Sequence, residues 1–226
     1  MTKNVFQIII VFIVGLCGGL LAEQIFSPLQ YQFSNGPVSV VENKEVIVQE
    51  NSALQDSVEK IEGSIVGIKS KKDGEIISGS GLIVTTDGLI VTLSSLVPSK
   101  GDFVFFIDGG TPNWKVLKRD KDLALIKVEM NDLKTVAFAN FNEVRLGQRV
   151  FLVGTTFTTK PLKIVNEGIV RFFTSDYIVT NIREEKALEG SALFNIKGEL
   201  LGLNRVNLEG VVTTISATEI KEFLGY

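Results

Sequence analysis

Chemistry in this chain has to be built without histidine. None of its 226 residues is His, which removes the side chain whose ordinary pKa lets it take and return a proton near neutral pH. A hydroxyl or thiol nucleophile would need a different base, and a zinc ion would need ligands other than imidazole. The single cysteine, Cys17, sits in an apolar run, so an intramolecular disulfide is excluded. Serine, lysine and carboxylate remain. They come together in sequence at Ser94-Ser95, at Asp122, and at Lys186-Ala187-Leu188-Glu189-Gly190-Ser191. Ser191 with Lys186 is the pairing a serine–lysine dyad would use. A simpler role for Ser191 is a small residue packed under a tight turn. No metal and no cofactor is implied by these residue types.

Composition narrows the partners. The chain carries 23 Lys and Arg against 26 Asp and Glu, a formal charge of -3, with no basic run. That balance excludes the electrostatic footprint of a nucleic-acid binder. Apolar residues make up 45% of the chain, ample for a core. Val5 to Ala22 runs 18 residues without a charge, close to the shortest length that spans a bilayer as a helix. Lys3 precedes it and Glu23 follows, which predicts a cytoplasmic N-terminus, a cell-membrane location and the remaining chain outside. Two alternatives compete. A signal peptide cleaved after Ala22 has bulky Leu20 at the site, and a lipoprotein signal at Cys17 has Leu16 where a small residue belongs.

The elements that must position these residues follow from periodicity. Residues 1–22 read as the membrane anchor, in contact with lipid through 5–22, and 23–51 as a stalk with Pro28 and Pro37 and no sustained period. Ser52 with Gln55 forms a capping box, and Leu54, Val58 and Ile61 share one face of a short helix. From Ser64 the pattern changes to short apolar runs. Gly81–Val84 and Leu89–Thr92 flank Asp87-Gly88, a hairpin signal. Strands follow at Phe103–Ile107, Trp114–Leu117 and Leu123–Val128. A second set covers Arg149–Val153, Asn166–Phe173, Tyr177–Thr180, Ala192–Asn195, Glu199–Asn204 and Val211–Ile215. A closing helix over 217–224 is capped by Ser216 and Glu219. Two groups of about six strands predict an all-β domain over 52–226: a pair of antiparallel barrels, near 64–130 and 145–216. A single β-sandwich is the competing architecture.

Three colinear stretches resemble the HtrA-type trypsin-like serine proteases. Gly79-Ser80-Gly81-Leu82-Ile83-Val84 with Asp87-Gly88-Leu89-Ile90-Val91-Thr92 is similar to that family's first hairpin. Asp122-Leu123-Ala124-Leu125-Ile126-Lys127-Val128 resembles its DLAVLKI strand. Gly190 to Asn195 with Gly198-Glu199-Leu200-Leu201-Gly202-Leu203-Asn204 resembles the segment after its nucleophile. The resemblance covers 52–226 and implies a trypsin-like double β-barrel with short N- and C-terminal helices; the family's PDZ domain has no counterpart in these residues.

Transferred residue by residue, the resemblance sets the catalytic His position at Ser95, the catalytic Asp at Asp122 and the catalytic Ser at Glu189. It sets the oxyanion turn at Ala187 and Gly190, with Ala187 where the family has Gly, and the peptide-binding edge at Asn204, Arg205 and Val206. Serine is too weak a base to replace imidazole, and Glu189 has no hydroxyl to attack a carbonyl. Its charge would also repel the oxyanion that such a site must stabilise. The expected local arrangement is Ser95 donating to Asp122, with Glu189 close enough for the two carboxylates to share a proton.

These readings imply a membrane-tethered pseudoprotease, an extracytoplasmic module that binds an extended peptide or unfolded segment, or an active protease homologue. The rivals are a serine-type endopeptidase with a rewired site and a purely structural envelope protein.

Overall fold

The structure is a computed structural model, and it describes residues 52–226 apart from Asp73. The expected anchor and stalk lie outside the described residues. Among the described residues no helix is long and apolar enough to cross a membrane.

A first helix, α1, covers residues 52–61. Its buried face ends in Ile61, and the Ser57 hydroxyl donates to the Ile196 carbonyl at 2.7 Å, tying the helix to a distant turn. Six strands follow: β1 Ile65–Lys72, β2 Glu75–Ile83, β3 Leu89–Leu93, β4 Asp102–Phe106, β5 Trp114–Arg119 and β6 Leu123–Val128. They pair antiparallel in the order β4-β1-β2-β3-β6-β5. The Asp87-Gly88 signal is the β2–β3 turn, with Gly88 at φ 97 where a side chain would be strained.

This first sheet differs from the closed barrel that periodicity predicts, because its end strands β4 and β5 are not neighbours in the ladder. Side chains close the gap instead. Phe103 on β4 stacks on Trp114 of β5 with ring centroids 3.8 Å apart, and Phe105 meets the same indole edge-on. Aromatic packing of this kind needs no backbone register. The result is a barrel-like half sealed by three rings.

The second half is a closed barrel of β7 Arg149–Phe157, β8 Pro161–Phe173, β9 Tyr177–Arg183, β10 Ala192–Asn195, β11 Leu200–Val206 and β12 Val211–Ser216. β7 and β8 reach farther than their apolar runs predict, pairing from Arg149↔Ile169 to Phe157↔Pro161. The added residues mix threonines and a lysine with apolar side chains and carry a proline. Pro161 is accommodated because it opens its strand, where a missing N–H costs little.

Why the central strands read as unbroken apolar runs is explained by two cores. Leu152, Leu193 and Leu201 point into the second barrel. Their neighbours Phe151, Val153, Ala192, Phe194, Leu200 and Leu203 point the other way, into the core shared with the first sheet. A strand buried on both faces loses the apolar–polar alternation. Phe151 and Phe194 stack in that shared core, 5.6 Å between centroids. Burying a side chain of this size contributes about 1.5–3 kcal/mol.

The chain ends in α2, Ala217–Leu224, whose N-cap Ser216 accepts the Glu219 N–H as the capping box predicts. Ile220 and Phe223 are buried against the shared core.

Candidate functional site

Glu189, the residue the resemblance sets at the nucleophile position, sits on a tight turn wedged against β2. Residues Lys186–Leu188 form a single 3₁₀ turn, followed by Glu189 in extended geometry and Gly190 at φ 77. Gly190 is obligatory: a Cβ there would lie 2.2 Å from the Ser80 carbonyl oxygen. On the facing side a Cβ at Gly79 would lie 2.5 Å from the Glu189 carbonyl oxygen. The Ser80 N–H donates to that oxygen at 2.9 Å. The Gly79-Ser80-Gly81 motif is thus the place where the first sheet grips the loop carrying Glu189.

Glu189 is 6% exposed, yet both of its carboxylate oxygens have partners. Oε2 pairs with the Lys186 ammonium at 2.6 Å, and Oε1 accepts from the Ser95 hydroxyl at 3.4 Å. Lys186 Nζ also donates to the Val206 carbonyl at 2.8 Å. One ammonium therefore bridges a buried carboxylate and a main-chain oxygen of β11. Burying a carboxylate without such a partner is costly.

Asp122 is held differently. The neighbouring Asp120 carboxylate accepts the Asp122 and Leu123 N–H groups at 2.8 and 2.6 Å, fixing the turn into β6. The Asp122 side chain is then free to pair with the Arg205 guanidinium, which reaches across from β11. This corrects the expected arrangement. Ser95 donates to Glu189 and not to Asp122, and each carboxylate has a cation of its own.

The backbone donors of the turn are also engaged. The Glu189 N–H points at the Lys186 carbonyl, 3.1 Å away, and the Leu188 N–H at that of Glu185, 2.9 Å away. An oxyanion hole needs its donors aimed at empty space where the oxyanion will form; the donor at position 189 is aimed back into its own turn. Ala187, half-buried, lies inside this turn.

At the expected peptide edge, Asn204 is fully buried and its carbonyl accepts from the Gly190 N–H at 2.8 Å. Arg205 is exposed and turned to Asp122, and the Val206 oxygen is taken by Lys186. Ser191 is buried without exposure, and its Oγ accepts from Asn204 Nδ2 at 3.0 Å. Asn204 Oδ1 in turn accepts from the Thr214 hydroxyl at 2.6 Å. Ser191 thus belongs to an internal polar network, and Lys186 turns to Glu189 and Val206, so the serine–lysine dyad is not assembled.

Set against known families, residues 79–203 match the model of the trypsin-like peptidase domain, more than half of the chain. The chain belongs to the trypsin-like peptidase family. Its relatives within that family are of the HtrA and DegP type. It is 32% identical over 94 residues to a probable periplasmic serine endoprotease DegP-like of Pseudomonas fulva (strain 12-X), covering 37% of this chain and 19% of that protein. It is 29% identical over 195 residues to serine protease HTRA1A of Danio rerio, covering 76% of this chain and 40% of that protein. The chain thus spans less than half the length of these curated relatives. In fold it is similar to the crystal structure of the serine endoprotease from Yersinia pestis, with a TM-score of 0.67, 21% identity, and coverage of 76% of this chain and 65% of that one.

In this trypsin-like peptidase domain, sequence reasoning named Lys186 and Arg205 in other roles but missed the ion pairs by which they organise the cleft. Lys186 stands three residues before Glu189, and that short spacing was the available signal for an ion pair. Arg205 was legible only as a residue on the edge strand. Its partner lies 83 positions away in the chain (205 − 122), a pairing that no local pattern announces.

Proposed function

We propose that this domain is a catalytically inactive member of the trypsin-like peptidase family, a pseudoprotease that works outside the cytoplasm as a peptide- or protein-binding or scaffold module. The observation that carries the reading is Glu189. At the position where the family's nucleophile falls stands a buried carboxylate, neutralised by Lys186 and hydrogen-bonded by Ser95. Such a group has no hydroxyl to form the acyl-enzyme of serine proteases, and its charge opposes that of a tetrahedral intermediate beside it. The lack of histidine and the turned-back Glu189 N–H support the same reading. Loss of triad members lowers turnover by about 10⁴–10⁶ in well-studied hydrolases.

The extracytoplasmic placement rests on Lys3 ahead of the apolar run 5–22 and on the periplasmic relatives. In this reading residues 5–22 tether the domain to the membrane. Binding of an extended segment along β11 requires the Val206 oxygen to be released by Lys186, an exchange of one hydrogen bond for another.

The test is a fluorophosphonate probe applied to the purified protein, together with casein turnover in the wild type and in Glu189→Ala. The expected result is no covalent adduct and no turnover in either. An adduct on Ser95 or Ser191, or turnover that responds to Glu189→Ala, would return the protein to the endopeptidases. Crosslinking in native membranes separates a binding module from a structural envelope protein: a discrete protein partner is expected.

A further inference from the structure

A second site lies between the two halves and shares no residue with the Glu189 cluster. The β7–β8 hairpin leans over the start of β1, and the space beneath it is a cavity of about 440 Å³. Its walls combine apolar surface from Phe106 and Pro161 with charged groups from three elements: Glu62 before β1, Asp108 after β4, and Lys160 and Lys163 on the hairpin. Asp108 reaches the rim because it occupies a left-handed position, φ 47, with Gly109 at φ 81 beside it. That pair makes the tight reversal between Ile107 and Gly110.

Among the cavity's charged groups, Lys163 has the most unusual setting. It stands opposite Thr155 in the β7–β8 ladder. Its residue surface is exposed, but its Nζ turns inward and donates to the Ile65 carbonyl across the gap between the halves. Thr155 is 1% exposed, and its hydroxyl has no hydrogen-bond partner. A buried hydroxyl left unsatisfied is uncommon and marks a place where a polar group is wanted. Desolvation lowers the Lys163 pKa to about 8, against the opposing pull of Glu62 and Asp108. At pH 7.5 such an amine is about one-quarter neutral, against about one part in a thousand for an ordinary lysine.

We propose that this cavity is a binding site for small uncharged aldehydes, in which the Lys163 amine forms a reversible imine with the bound carbonyl. The nitrogen lone pair adds to the carbonyl carbon, giving a carbinolamine. That intermediate loses its oxygen as water, taking up one proton and releasing the one left on nitrogen, so amine plus aldehyde gives imine plus water with no change of oxidation state. Glu62 and Asp108 line the same cavity and are the carboxylates available there to pass those protons. Phe106 and Pro161 cover the apolar part of the ligand. An uncharged ligand suits the site because the two carboxylates and Lys160 leave no surplus of positive charge for an anion.

Salicylaldehyde with cyanoborohydride trapping tests this on the purified full chain, with each modified lysine quantified by peptide mass spectrometry. Lys163 is expected to react at least about tenfold faster than the other lysines at pH 7.5, its lower basicity giving back part of the advantage in neutral fraction. Its rate is expected to saturate with aldehyde concentration, whereas rates at the other lysines stay linear. Phe106→Ala is expected to raise the half-saturating concentration, and Glu62→Gln to move the pH midpoint of Lys163 labelling lower. Lys163→Arg serves as the control that removes the saturable component. Labelling of Lys163 at the pace of the other lysines, or a rate linear in aldehyde, would overturn the proposal.

Discussion

Replacing Lys186 with alanine isolates the contact on which the cleft depends. The substitution strips Glu189 of its ammonium partner while the carboxylate stays 6% exposed, leaving a 3.4 Å hydrogen bond from Ser95 as its remaining side-chain contact. Breaking a fully buried pair by removing one partner costs about 3–5 kcal/mol. An exposed pair is worth about 0–1 kcal/mol. This pair is mixed, with the lysine side chain 55% exposed and the glutamate 8%. The expected loss lies between those limits, about 2 kcal/mol. With a urea slope of about 2 kcal/mol/M, the unfolding midpoint falls by about 1 M. The chain's single tryptophan, Trp114, reports unfolding by fluorescence, with far-ultraviolet circular dichroism as the second probe. Glu189→Gln removes the charge itself, so Lys186→Ala in that background is expected to cost less than about 0.5 kcal/mol. A Lys186→Ala protein as stable as wild type, or the same loss in both backgrounds, would refute the view that the lysine neutralises a buried carboxylate.

Three other outcomes are expected. Gly190→Ala forces a Cβ to 2.2 Å from the Ser80 oxygen at a left-handed φ of 77; a loss of about 3 kcal/mol or more, read by urea unfolding or by failure to accumulate soluble protein, is expected. Asn204→Ala leaves the buried Ser191 and Thr214 hydroxyls without their partner; a loss of about 2–4 kcal/mol is expected, and Asn204→Ser is expected to recover part of it. Lys163 has a folded pKa of about 8, below its unfolded value, so between pH 8 and about 10 the unfolded chain binds more protons and stability rises with pH. Lys163→Met is expected to lack that component of the rise in a urea series across the same range.

The strand inventory was legible because its signals are local. Asp87-Gly88 marks a reversal that only a left-handed residue completes, and Ser216 with Glu219 marks a helix start. The ends of β7 and β8 were not legible, since Thr155 to Lys163 are mostly polar and include Pro161. Those residues pair because the hairpin continues a register already set by Leu152 and Val153 in the two cores. The openness of the first sheet was hidden for a related reason. Strand periodicity reports which face is buried, not whether the end strands meet, and here the stacking of Phe103 on Trp114 closes the gap.

The amino-acid sequence alone determined that these 226 residues supply no imidazole, and through the family resemblance it predicts a carboxylate at the nucleophile position. Those are matters of residue type, and no folding alters them. Which charge neutralises which was decided only by the tertiary structure. Lys186 and Arg205 are both cations near the same groove; spacing hints at Lys186 with Glu189, but nothing in sequence order joins Arg205 to Asp122. The 3₁₀ turn brings Lys186 onto Glu189, and the β11 strand carries Arg205 across to Asp122. Electrostatic pairing depends on distance in space and on burial, and both are properties of the packed chain.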